Sequence, residues 1–208
     1  MFATIKTKGI VLNQYEAKNG ADALFLVYTR EHGKIVVAGR GIKKLNSKLA
    51  GHLVTFGIVE FNIAGAKDIK QLIGAVLLQP FVIDGAEWMV AQDFIRGFVA
   101  QVVVGEERDI AFWDLLEQFL LKVSLNKKFE QARLFCYIWA IRVLIHFGYM
   151  SHKSFEIGIG SALNKKIVQA LQSPQSELVV SLDELDSFGA ALKNNIEKLF
   201  EKEMKVWI

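Results

Sequence analysis

Residues 29–49 read TREHGKIVVAGRGIKKLNSKL, with six cations, Arg30, Lys34, Arg40, Lys43, Lys44 and Lys48, set against the single acid Glu31. From His32 through Val59 there is no Asp or Glu at all. Side chains of this type, crowded together without counter-charge, attract phosphates by Coulomb attraction and by release of condensed counterions. Gly39 and Gly41 carry no Cβ, so their backbone N–H groups could approach phosphate oxygens closely. Lys6 and Lys8 alternate with Ile5 and Thr7 and would share one face of a strand. Together Lys6, Lys8, Arg30, Lys34, Arg40, Lys43, Lys44 and Lys48 form the candidate nucleic-acid set. The alternative for the same residues is a solvated cationic loop. Aromatic stacking is the usual complement to charge in sequence-tolerant strand binding. Tyr15 and Tyr28 are the candidates for it, while Phe25, Phe56 and Phe61 read as core.

No other constellation supports covalent chemistry. The chain has no G-x-x-x-x-G-K-[ST] phosphate loop and no G-x-S-x-G nucleophile elbow. His32, His52, His146 and His152 lack second ligands at metal-binding spacing, and the single Cys136 lies in an apolar helical run. Gly158-Ile159-Gly160-Ser161 follows helices rather than a strand and reads as a connection, and Glu106, Glu107 and Asp109 read as a solvated loop and helix start. The expectation is a protein that is not an enzyme and takes no metal or cofactor. In the second half, Arg133, Trp139 and Arg142 lie three to six apart around one or two turns of a helix, so some could flank a shared groove for an acidic peptide ending in apolar residues. The alternative is Trp139 in the core with the arginines in surface pairs.

The elements that must hold these residues change type near residue 80. Apolar runs separated by turn residues predict strands over Thr4–Tyr15, Ala23–Arg30, Lys34–Gly39, Leu53–Ile63 and Ile69–Leu78, the second and third forming a hairpin through a Gly-containing turn. Five strands in about 80 residues suit a small closed barrel; the OB-fold is the obvious candidate, although strand count alone does not separate it from an SH3-like barrel. After Pro80 the period becomes helical. Phe94, Ile95, Phe98, Val99, Val102 and Val103 mark a first helix ended by Gly105, and Phe112 to Val123 a second. Phe129 to Phe147 make a central third helix closed by Gly148, and Leu163 to Gln172 a shorter fourth. Ser181-Leu182-Asp183-Glu184 has the form of a capping box opening a last helix that runs to about Met204. The fold class expected is α+β with two domains, a five-stranded barrel over 1–79 and an all-α domain over 80–208.

Charge divides at the same place. Residues 1–79 hold 11 Lys+Arg against 5 Asp+Glu, a net +6, whereas 80–208 hold 14 against 17, a net −3, and the overall +3 conceals the asymmetry. The first part is suited to a polyanion and the second to different partners. With 52% apolar and 23% charged residues the chain is compact rather than disordered. Its most apolar runs, 94–104 and 134–147, carry Arg96, Gln101 and Arg142 and fall short of the roughly 20 residues a bilayer span needs. Met1 to Lys8 shows no signal-peptide core, so a cytoplasmic, nucleoid-associated location with no membrane contact is expected.

Gly9 to Phe61 resembles the N-terminal domain of the RecO family. The segment combines a GIVL strand, an acid before an apolar run ending in T-x-E-x-G-K, a Gly-centred basic turn, and S-[KR]-L before a strand. VLIHFGY, Val143 to Tyr149, is similar to the helix end of that family's C-terminal domain. The resemblance implies an OB-fold joined to a helical domain that binds single- and double-stranded DNA and anneals complementary strands. It also implies help in loading RecA onto strands coated by single-stranded-DNA-binding protein, with RecR and the acidic C-terminal tail of the coating protein as partners. Arg40, Lys43, Lys44 and Lys48 match the family's cationic turn; Arg133, Trp139 and Arg142 are approximate counterparts of its tail site. Many members carry a four-cysteine zinc module after the Gly-Tyr, whereas Met150 to Gly160 holds no cysteine, and Lys202 to Ile208 shows little of the family pattern. The other class of reading is a protein-interaction scaffold whose barrel does not bind DNA.

Overall fold

The two-residue period of a strand turns Ala23, Phe25 and Val27, Ile35 and Val37, and Val59, Phe61 and Ile63 to one side of their strands, and in the structure that side is the inside of a closed barrel. The structure is a computed structural model that describes residues 4–18, 20–65, 69–81, 86–103, 105–125, 129–151, 161–172 and 180–201. The strands are β1 (Thr4–Glu16), β2 (Ala23–Thr29), β3 (Gly33–Gly39), β4 (Ile58–Ala64) and β5 (Ile69–Gln79). Their order around the barrel is β1-β2-β3-β5-β4. All pairings are antiparallel except β3 with β5, which runs parallel from Val36↔Ile69 to Ala38↔Gln71 and closes the ring. The long β1 serves two neighbours: Thr4 to Ile10 pair with β4, and Gly9 to Glu16 pair with β2 across an irregularity at Val11/Asn13. This is the five-stranded OB-type barrel expected from the sequence.

One strand begins later than its apolar pattern suggests. Residues 53–57 do not join β4, because Phe56 takes a left-handed conformation, with φ 59°, and donates its amide to Val11 O at 2.7 Å. Ala50–His52 form a 3-10 turn instead. His52 Nδ1 accepts the Leu77 amide at 3.3 Å and ties that turn to β5. Burial of the Phe56 ring offsets the strain of its backbone.

Among the described residues five helices follow: α1 (Ala86–Val102), α2 (Ile110–Leu125), α3 (Phe129–His146), α4 (Ser161–Gln172) and α5 (Leu182–Phe200). The chain divides into two compact units, one of residues 1–82 with 103–120, the other of 83–102 with 121–208. The barrel unit thus takes back a segment that the sequence assigned to the helical domain. Tyr28 is fully buried there, its hydroxyl donating to Asp109 O at 3.3 Å and its ring edge-on to Phe112 at 4.8 Å. Lys70, buried at β5, meets the Glu106 carboxylate at 2.7 and 3.1 Å. Gly33, with φ 63°, lies so close to Glu107 that a Cβ would overlap its carbonyl oxygen. Asp109 accepts the Phe112 amide at 2.8 Å and starts α2. Asp109 thus marks the helix start expected from the sequence, whereas Glu106, exposed as a loop residue would be, is also paired with buried Lys70.

In the helical unit α3 is central and touches α1, α4 and α5. Gly148, with φ 77°, ends it: the Tyr149 amide donates to Leu144 O at 2.8 Å and the Gly148 amide to Ile145 O at 3.0 Å. The capping box forms at α5, with the Glu184 amide donating to Ser181 Oγ at 3.2 Å and the Ser181 amide to Glu184 Oε2 at 2.9 Å. That helix ends at Phe200, with Glu201 left-handed, short of Met204. The Gly158-Ile159-Gly160 connection, most of the segment that lacks the cysteine module, and the end from residue 202 lie outside the described residues. Among the described residues no helix is long and apolar enough to cross a membrane, and no three His, Cys, Asp or Glu side chains gather as a metal site.

Candidate nucleic-acid interface

Because β1 and β3 run toward one end of the barrel and β2 and β4 toward the other, the β1–β2 and β3–β4 connections leave at the same end. Glu16, Ala23 and Gly39 are register partners there. Residues 40–48 fold back in successive turns, the Lys44 amide donating to Gly41 O at 3.1 Å and the Ser47 amide to Lys44 O at 2.9 Å. Two further bonds fasten this loop to the β1–β2 connection: the Gly41 amide donates to Asp22 Oδ1 at 2.6 Å and the Lys43 amide to Ala21 O at 3.0 Å. Ile42 plugs the core beneath, and Leu49 packs against it. The result is a held platform rather than a free loop.

Arg40, Lys43, Lys44 and Lys48 are all exposed on this platform. Lys43 pairs with Glu16, and its ammonium holds the Glu16 carboxyl below the ordinary carboxylate range by hydrogen bonding and by charge. Among the described residues no ion pair engages Arg40, Lys44 or Lys48. Lys18, exposed on the facing connection, extends the same electropositive end. It went unnoticed in the sequence because it stands apart from the cluster along the chain. Gly41 does not offer its N–H to a ligand, since Asp22 already accepts it.

The remaining cations of the set lie elsewhere. Lys8 and Arg30 meet at the opposite end, where the Arg30 amide donates to Lys8 O at 2.9 Å. Eight residues of β1 separate Lys8 from Glu16, about 25 Å at strand rise. Lys6 is paired with Glu60 at 2.8 Å. Lys34 turns inward and donates to Val103 O, and burial pushes its ammonium pKa down, so it does not join the exposed surface. The eight cations therefore split into one platform of four, an opposite group of Lys6, Lys8 and Arg30, and one structural lysine. Of the two tyrosines only Tyr15 is exposed; buried Tyr28 has no face to offer a base.

Arg133, Trp139 and Arg142 do not converge. Nine residues at about 100° each place the two arginines on opposite sides of α3. Arg133 reaches Asp186 on α5 at 2.9 Å and the Tyr137 hydroxyl at 3.2 Å. Arg142 donates to Ala170 O in the last turn of α4 at 3.0 Å, and burial lowers its pKa. Trp139 is buried edge-on to Phe98 at 5.6 Å. All three are engaged in holding helices together.

Comparison with known proteins agrees with this barrel. Residues 1–81 match the family described as recombination protein O N terminal. The chain is similar to the DNA repair protein RecO of Caldicellulosiruptor bescii, 26% identical over 147 residues that cover 70% of this chain and 59% of that protein. It is also similar to the DNA repair protein RecO of Cutibacterium acnes, 27% identical over 78 residues, 38% of this chain and 31% of that protein. The matched part thus spans less than two thirds of either relative's length. The first 81 residues, which form the closed OB-type barrel with its cationic β3–β4 connection, are thus similar to the N-terminal domain of the RecO family.

Proposed function

We infer that the chain is a DNA repair and recombination accessory protein whose barrel binds DNA through the β3–β4 platform. The observation that carries this is the fixed, exposed group of Arg40, Lys43, Lys44 and Lys48 on an OB-type barrel matched to that family. Four phosphate-facing cations suit single and double strands alike, since they engage backbone rather than base edges. Screening the charge of two strands at once favours their annealing. The further steps, loading RecA on strands coated by single-stranded-DNA-binding protein and contacting RecR and the acidic tail of the coating protein, follow from the family rather than from a site in the helical unit. Arg133, Trp139 and Arg142 do not supply that site as a group.

Labelled oligonucleotides test the reading. Binding should weaken with salt at a log–log slope of about −2 to −3 for three or four neutralised phosphates of a single strand. Lys43→Glu with Lys44→Glu should abolish both binding and accelerated annealing. A flat salt response, with partner capture retained, would instead identify an interaction scaffold.

A further inference from the structure

The platform carries one residue that charge does not explain. Its apolar side chains recur at 42, 45 and 49. Ile42 is buried and Leu49 packs against the core, whereas Leu45 is 110% exposed, more open than any other large apolar side chain described. Leu45 follows Lys44 in the turn closed by the Ser47 amide on Lys44 O, so it projects from the tip. The residues that lead into this turn are fastened to the β1–β2 connection, Gly41 to Asp22 and Lys43 to Ala21. A lone exposed leucine on a mobile surface would call for no account. Here the adjoining backbone is fastened, and exposed Lys43, Lys44 and Lys48 flank the tip along the chain.

We propose that Leu45 is an apolar wedge that inserts between neighbouring bases when the surrounding cations seat the platform on the phosphate backbone. Aliphatic side chains of this size unstack base steps in other protein–DNA contacts, while flanking cations hold the backbone. Partial unstacking by the wedge would expose base edges for pairing with a second strand, which gives the platform a part in annealing beyond charge screening. Exposed Asn46 stands beside it and can hydrogen-bond a base edge that the wedge uncovers. The proposal rests on the reading that this platform binds DNA. A lipid surface, the other partner of an apolar tip among lysines, is disfavoured because a single leucine buries too little area to anchor a protein.

The test uses the full chain and oligonucleotides carrying 2-aminopurine, whose fluorescence rises on unstacking, with an end label reporting binding by anisotropy. Wild type should raise the fluorescence on binding. Leu45→Ala, at a fully exposed site, should fold as wild type and bind within about fivefold, because phosphate contacts remain, yet lose most of the fluorescence rise; Leu45→Phe should restore it. Wild-type binding without a rise, or an undiminished rise from Leu45→Ala, overturns the wedge while leaving DNA binding intact. Absence of any anisotropy change in wild type overturns the binding reading itself, and the wedge with it. Co-sedimentation with anionic phospholipid vesicles that Leu45→Ala abolishes, alongside unchanged 2-aminopurine signals, would assign the tip to a lipid surface instead.

Discussion

Asp22 accepts the Gly41 amide at 2.6 Å across the gap between two barrel connections, one of two bonds that fasten the cationic platform to the β1–β2 connection. Asp22→Ala leaves the amide without its charged acceptor and should cost about 1–3 kcal/mol in urea unfolding. Asp22→Asn keeps a carbonyl acceptor and should lose less. Backbone amide exchange of residues 41–47 should accelerate in the alanine variant well before the barrel strands exchange.

Lys70 and Glu106 form an asymmetric pair, the lysine nearly enclosed and the glutamate half open to water. Removing each partner should therefore have unequal effects. Glu106→Ala strands a buried ammonium and should destabilise by about 1–3 kcal/mol. Lys70→Met replaces the ammonium with apolar volume and leaves Glu106 solvated, for a change within about 1 kcal/mol. A double-mutant cycle should show the two coupled.

Gly189 lies where α5 crosses Tyr137 of α3, and a Cβ there would come within 2.7 Å of Tyr137 Cζ. Gly to Ala inside a helix ordinarily stabilises by about 0.5–1 kcal/mol. Here the sign should reverse, because Tyr137 is fully buried against Phe188 at 5.3 Å and has no space to yield. A lowered thermal midpoint for Gly189→Ala, with Gly97→Ala on the open face of α1 unchanged or raised, is the expected pair of results.

Glu184 accepts the Ser181 amide and pairs with Lys166 at 3.0 Å, and these contacts hold its carboxyl below the ordinary carboxylate range. A carboxyl whose pKa is depressed in the fold lends stability above its unfolded pKa, about 4.3, and withdraws it as pH falls through the folded value. Thermal melts from pH 7 down to 3 should show this acid limb in wild type. Glu184→Gln, which keeps the cap but not the charge, should show a shallower one.

What could be read from the sequence was local. The apolar runs on either side of Glu31-His32-Gly33 marked the β2–β3 hairpin, and Ser181 with Glu184 marked the start of α5, since both signals lie within a few residues. Lys34 and Lys44 look alike as letters, yet one donates to Val103 O and the other faces water. Nothing near Lys34 announces a partner some seventy residues away. Tyr28 reads as a stacking candidate for the same reason: its cover, Asp109 and Phe112, is remote in the chain. Arg133, Trp139 and Arg142 failed as a group because helix phase separates the arginines, a point their spacing already contained.

The return of residues 103–120 to the barrel makes that unit discontinuous along the chain. During synthesis, therefore, the five strands leave the ribosome before Phe112 and Glu106 exist to cover Tyr28 and neutralise Lys70. A nascent barrel that ends near residue 82 carries a bare tyrosine and an unmatched buried lysine until α1 and the start of α2 have been made. The same order limits how the protein can be cut: a fragment cloned at the strand-to-helix boundary lacks part of its own wall, and one extended to Leu120 regains it.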